Sequence, residues 1–147
     1  MRAKKDFDMA VYLHSNTADK FGYMEQYRPD MQIKANLRMI HEMVVVPLLE
    51  NLPTGYWINI TCAYRCRKVN DKLKGAKNSQ HLCSGTDAAI DIECYNEKEV
   101  ESNDTIINIL NQQELKFTQL IREKGKNGWI HIGYDAYDLK NQKLIID

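Results

Sequence analysis

Long apolar runs are missing from this chain of 147 residues. No stretch approaches the ~18 consecutive apolar residues that a bilayer-crossing helix needs, so no membrane span is expected. The opening MRAKKDFDMAVYL is basic but lacks an extended apolar stretch and a small-residue cleavage site. No secretory signal is read there, and the chain is expected to be cytoplasmic as synthesised. An excess of one charge is missing too, since Lys+Arg and Asp+Glu both number 20. Proteins that track phosphates carry a basic excess, so nucleic acid is not expected as a partner. Cysteine is scarce: Cys62, Cys66, Cys83 and Cys94 are too few for a disulfide scaffold at this length, and free thiols in a reducing compartment are expected. There is no internal repeat, low-complexity tract or long linker.

What is present is an ordinary globular composition, 44% hydrophobic and 27% charged. A single domain over residues 1–147 is expected, large enough for a real core. Thr17 reads as the N-cap of a short helix, and YRPD as a turn. Ile33, Leu37, Ile40, Val44 and Leu48 make one apolar stripe of a helix over 32–50, which Pro47 should kink or end. His41 flanks that stripe and reads as a satisfied edge-of-core residue, as does His14. GYWINITCAYR alternates as a strand. A short helix over 68–73 follows, with Val69 and Leu73 on one side and Gly75 ending it. AAIDIEC is a second strand, SNDTIINILN a helix capped by Ser102 or Asn103, LKFTQLI a third strand and GWIHIGYD a fourth. KLIID is a fifth, at an edge. Helices first and strands later predict an α+β fold, with a small antiparallel-leaning sheet flanked by helices.

Two strands share one irregularity. In GWIHIGYD, Trp129, His131 and Gly133 face one way, and Ile130, Ile132 and Tyr134 the other. In AAIDIEC, Asp91 interrupts an apolar run. Desolvating a lone carboxylate costs several kcal/mol, so the two polar residues are expected to meet. His81, in the loop before the Asp91 strand, completes a set of two imidazoles and one carboxylate. Such a set suits zinc and leaves a fourth position open. The pattern alone leaves open a plainer arrangement, with Asp91 in a salt bridge and His131 packed as core.

Several motifs in order sharpen this. SNTADKFGY, then IKANLRMIHEMVVVPLLE, ITCAYRCRKVN, KGAKNSQH, AIDI and GWIHIGY run along most of the chain. Together they resemble the zinc D-alanyl-D-alanine peptidases, which are related to VanX-type dipeptidases and to some phage endolysins. The resemblance implies one Zn2+ per chain, held by His81, Asp91 and His131 on the sheet face. It implies that Arg65 stabilises the oxyanion, that Ser79 lies near the substrate, and that the partners are peptidoglycan peptides. For Arg65 the alternative is a salt bridge to the adjacent helix, and for Ser79 a plain capping role.

The sequence departs from the family pattern in two places. His81 and Asp91 are about three residues further apart than usual, so Asp87 within the insertion is a rival ligand with an alternative turn role. Asp91 is preferred because it lies on a strand and keeps the Ala-x-Asp pattern. Close relatives often carry a carboxylate three residues before the last histidine, where this chain has Gly128. Glu123, in FTQLIREKGKNGWIH, is therefore the expected general base, and Asp135 a lesser candidate for base or for partner of a ligand imidazole. Gln119 either orients substrate or satisfies a buried network. Trp129, Tyr64 and Tyr134 either line the cleft or pack as core. The cleft itself is expected between the His81 loop and the Glu123–Trp129 turn. Cys83, two residues after His81, offers a softer ligand, but closed sulfur sites usually draw two or more thiolates. Cys66 lacks a neighbouring base, so a cysteine nucleophile is not expected.

The expected function is thus a zinc metallopeptidase hydrolysing D-Ala-containing peptide bonds of peptidoglycan, either as a carboxypeptidase or as an endopeptidase. The rival is a non-catalytic, zinc-stabilised wall-binding or virion module. A wall enzyme made without a signal needs another route out, such as phage lysis or virion delivery.

Overall fold

In the computed structural model, which describes residues 1–125 and 127–146, short polar side chains start the first helices. Asp8 Oδ1 accepts the Ala10 N–H at 3.1 Å to open α1 (Met9–Leu13). Ser15 Oγ accepts the Ala18 N–H at 3.0 Å to open α2 (Asn16–Phe21), and Asp30 Oδ1 accepts the Ile33 N–H at 2.8 Å to open α3 (Met31–Ile40). Ser15, not Thr17, is the cap, because Ser15 has the extended backbone a cap requires while Thr17 lies inside the helix.

The helix predicted over 32–50 is three pieces: α3, a π-helical turn His41–Val45, and α4 (Val46–Asn51). Pro47 has no N–H for the carbonyl one turn back, and its ring would press on that carbonyl. The wider turn ahead of it, with the Val46 N–H on His41 O, relieves the crowding without ending the rod. Leu37, Ile40, Val44 and Leu48 are buried as the stripe predicts. His41 is satisfied at the core edge, with Nδ1 2.6 Å from the Tyr12 hydroxyl and Nε2 2.7 Å from Lys5 O.

Among the described residues the strands form one five-stranded sheet in the order β1-β2-β4-β3-β5. They are β1 (Trp57–Cys62), β2 (Asp87–Tyr95), β3 (Gln119–Glu123), β4 (Ile130–Asp135) and β5 (Gln142–Ile146). All neighbours run antiparallel except β3 and β5, so the α+β class and the edge position of the last strand match expectation. Strand β3 starts at Gln119 rather than Leu115, because the Phe117 N–H is taken by Asn141 Oδ1 at 2.9 Å instead of by a neighbouring strand. Lys126 of the predicted EKGKNG turn and Asp147 of KLIID lie outside the described residues.

One face of the sheet is the core. Ile58, Ile60, Ile90, Ile92, Ile130 and Ile132 are buried against Leu37, Ile40 and Leu48, and against Ile106 of α6 (Asp104–Gln112). Each such side chain contributes roughly 1.5–3 kcal/mol of transfer free energy. Asn103 stands at the N-cap of α6, but its side chain does other work. It accepts the Cys94 N–H at 2.7 Å and donates to Gly128 O at 3.0 Å, tying β2 to the segment before β4. Helix α5 (Arg67–Lys72) buries Val69, whereas Leu73, just past its end, is exposed. The Asn70 side chain donates to Ala76 O at 2.9 Å, and Arg67 to Lys77 O at 2.7 Å, which fixes the loop leading to His81.

Candidate metal centre

The opposite face of the sheet carries the polar residues. Register sets Asp91 of β2 directly beside His131 of β4, and His131 beside Ile121 of β3. His81 arrives from outside the sheet, in a 3-10 turn (Gln80–Leu82) that Ser79 caps by accepting the His81 N–H at 3.2 Å. Its carbonyl accepts the Arg65 N–H at 2.7 Å, so the loop carrying Arg65 and the turn carrying His81 are bound to each other.

Asp91 Oδ1 is the meeting point. His81 Nε2 lies 3.2 Å from it and His131 Nδ1 2.9 Å, with the two rings edge to face. On the far side of His81, Nδ1 is 2.7 Å from Ala63 O. A carbonyl only accepts, so Nδ1 carries the proton. A neutral His81 then turns its Nε2 lone pair on a carboxylate oxygen, an arrangement stable only with positive charge between them. A proton or a metal ion provides that charge. The two separations are close to the ~3.3 Å edge of a tetrahedron with ~2.0 Å metal–ligand bonds. Nitrogen and carboxylate donors of this kind fit zinc.

The electrostatics agree. Burial alone would lower the His81 pKa, but hydrogen bonds and charge from Asp91 and Cys62 outweigh it and push it up to about 10. Burial would raise Asp91, yet His131 and His81 hold it well below the usual carboxylate range. A pocket that stabilises positive charge on the His81 imidazole offers the same stabilisation to a cation in the proton's place.

Arg65 does not bridge to the adjacent helix. Its Nη2 is 3.8 Å from Asp91 Oδ2, and its Nε donates to Cys62 Sγ at 3.2 Å. A cleft of about 310 Å3 opens beside His131, lined by Ser79, Gln80, Gln119, Ile121 and Gln142 among others. Its far wall is the start of β3 and β5, not the predicted Glu123–Trp129 turn. Gln119 lies in this wall with its amide on Gln142 Oε1 at 3.1 Å. A smaller hollow of about 170 Å3 lies on the other side, lined by Cys62, Arg65 and Tyr64. Tyr64 and Tyr134 are both buried in the core cluster, while Trp129 is exposed.

Glu123 is half-buried on the same face, one row from His131. That diagonal corresponds to ~7–8 Å between strand positions. Asp87 and Asp135 are cross-strand partners at the far end of the face. Each is four residues from the centre along its strand, about 13 Å at ~3.3 Å per residue. That separation places both carboxylates away from the Asp91 oxygen, and Asp135 Oδ2 instead accepts the Thr86 hydroxyl at 3.0 Å. Asp87 also begins β2 rather than forming a turn.

A family model described as Peptidase M15 matches residues 30–133. The chain belongs to the Peptidase M15 family. The matched span contains Arg65, His81, Asp91, Glu123 and His131. M15 proteins are metallopeptidases, and membership supports a zinc-dependent hydrolase acting on peptidoglycan-type substrates. No curated protein and no solved structure matches the chain.

Three residues near the M15 centre escaped the sequence reading. Gln80 Oε1 sits 3.4 Å from His131 Nε2. Glu93, one row from Asp91 on the same face, accepts from Asn59 and Tyr95. Cys62 joins His81 and Asp91 in a group whose ligand atoms lie within 4.8 Å of one another. Gln80 was signalled only by its place beside a histidine. For Cys62 the sequence carries no signal, because simple alternation turns it toward the core.

Proposed function

We propose that this M15 protein hydrolyses peptide bonds adjoining D-alanine in peptidoglycan peptides, with zinc held by His81, Asp91 and His131. The supporting observation is one atom, Asp91 Oδ1. Imidazoles from a loop ten residues upstream and from a strand forty residues downstream converge on it at 3.2 and 2.9 Å. Zinc bound there supplies a Lewis acid for the scissile carbonyl and for the attacking water. Arg65, beside the ligand carboxylate, meets the negative charge that grows on the carbonyl oxygen. Glu123 takes the proton from the attacking water and returns it to the leaving amine. Ser79 and Gln119 bind the peptide along the cleft, and Tyr64 does so from the smaller hollow.

Glu123 is favoured as base by Gly128. A side chain at 128 would begin 2.3 Å from Glu123 O, so this backbone has no room for the carboxylate that close relatives place there. The test is cleavage of defined muropeptides, with products weighed by mass spectrometry. The zinc-loaded protein is expected to release D-alanine or to open D-alanine cross-links, which also separates exo- from endopeptidase. Glu123→Gln is expected to lower kcat by about 10²–10⁴-fold at unchanged zinc content. A zinc-loaded wild type that cleaves no wall peptide would instead identify a zinc-stabilised binding module.

A further inference from the structure

We infer that Cys62 supplies a fourth protein donor, a thiolate, to the metal held by His81, Asp91 and His131, so that the resting centre is closed. This rests on the metal reading proposed above. The decisive feature is a break in β1. Trp57, Ile58, Asn59 and Ile60 pair in step with Tyr95, Cys94, Glu93 and Ile92, and then the register slips, so that Cys62 faces Asp91. Thr61 is the extra residue, pinned by its hydroxyl to Asp91 O at 3.1 Å. Without it Cys62 would share the core face with Ile58 and Ile60; with it the thiol stands on the face of the metal site. Bulges re-aim side chains in this way beside active sites.

The surroundings suit a coordinated sulfur. Cys62 Sγ, a His81 nitrogen and an Asp91 oxygen lie within 4.8 Å of one another. That upper bound is about 1.2 Å wider than the ~3.6 Å edge made by metal–sulfur and metal–nitrogen bonds of ~2.3 and ~2.0 Å, and His131 lies outside the group. The Arg65 Nε–H points at Sγ from 3.2 Å, the kind of outer hydrogen bond that orients a ligand and tunes it. A nucleophilic role does not fit. The His81 nitrogen nearest Sγ, Nδ1 at 3.8 Å, is committed to Ala63 O and cannot take the thiol proton. Of the other cysteines, Cys83 directs its S–H to His81 O at 3.5 Å, and Cys66, Cys83 and Cys94 all belong to the buried core cluster. On coordination the Cys62 thiol gives its proton to solvent, and its sulfur takes the position an open catalytic site leaves to water. Substrate gains access when the sulfur swings away.

Cobalt substitution tests this without reference to activity. The wild-type chain, loaded with one equivalent of Co2+, is expected to show a near-ultraviolet thiolate-to-cobalt charge-transfer band. Cys62→Ser, or Cys62→Ala should the serine variant fold poorly, is expected to lose the band while elemental analysis still finds one cobalt per chain. Alkylation of Cys62, mapped by mass spectrometry, is expected to slow at least tenfold when zinc is added. One bound cobalt with no band removes Cys62 as a donor and leaves the His81–Asp91–His131 site standing. A band that survives Cys62→Ser comes from another thiol and likewise overturns the inference. No bound metal in the wild type overturns the underlying site, and Cys62 with it.

Discussion

Gly133 lies on the metal-site face of β4, two residues past His131. A methyl group there would begin 2.0 Å from Gln80 Oε1, so the glycine is what lets the Gln80 amide rest over the strand. The obstructing atom is the end of a flexible side chain, which can move. Gly133→Ala is therefore expected to leave stability within about 1 kcal/mol while displacing Gln80 from His131. Losing an outer partner of a ligand imidazole typically weakens metal binding 10–100-fold. Zinc affinity by chelator competition, set beside urea unfolding, separates the two effects, and unchanged affinity would clear Gln80 of an orienting role. At this scale the imidazoles and Asp91 were legible, because each is a polar residue inside an apolar pattern or within a motif. Cys62 was not, since the slip that turns it belongs to the pairing of two strands and leaves no trace in either alone. Glu93 was invisible for the opposite reason: a glutamate alternating with isoleucines looks like any solvated strand position.

Among the elements, the segment carrying Arg65 has no regular structure, and a buried side chain holds it. Gln26 is fully buried. Its amide donates to Leu13 O at 2.9 Å and Tyr64 O at 2.8 Å, and its oxygen accepts the Cys66 N–H at 2.8 Å. Gln26→Leu keeps the volume and strands these backbone groups away from water. Stability is expected to fall by about 3 kcal/mol in a urea titration, since each orphaned buried group costs roughly 1–3 kcal/mol and some will find water. Peptidase activity should fall further than stability explains, because Arg65 loses its anchor. The alternating strands and the apolar stripe of the long helix were readable because burial on one face imposes a period. The π-helical turn was not, since Pro47 announces a disturbance without saying whether the helix stops, bends or widens. The late start of β3 depends on Asn141, a side chain 24 residues away in the chain.

For the whole molecule, the charge at the centre sets a pH dependence. In metal-free protein His81 keeps its proton to about pH 10, whereas an unfolded imidazole loses it near pH ~6.5. A pKa raised on folding stabilises fully below the unfolded value and is lost as pH rises through the folded one. Cys83 and Cys94, pushed by burial up to about 12 and about 11, add to the loss above the free-thiol value of ~8.5. Asp91 has the opposite sign. Held low, it stabilises above pH ~3.9 and gives way only in strong acid. The Tm of the chelated protein is thus expected to decline steadily from pH ~6.5 toward pH 10, and a flat profile there would contradict the charge assigned to His81. Zinc in place of the protons should raise Tm at every pH in that range, with the largest gain at the alkaline end.

The backbones of the three residues proposed to hold zinc are each fastened by something other than metal: Asp91 and His131 by the β2–β4 ladder, and His81 by Ser79 and Arg65. A cation bound at the proposed site would therefore dock into a finished berth instead of gathering a loose chain around itself, unlike small zinc domains that unfold when stripped. Far-ultraviolet circular dichroism should superimpose before and after chelation, and reloading should run at the pace of ion dehydration, with no slow refolding phase.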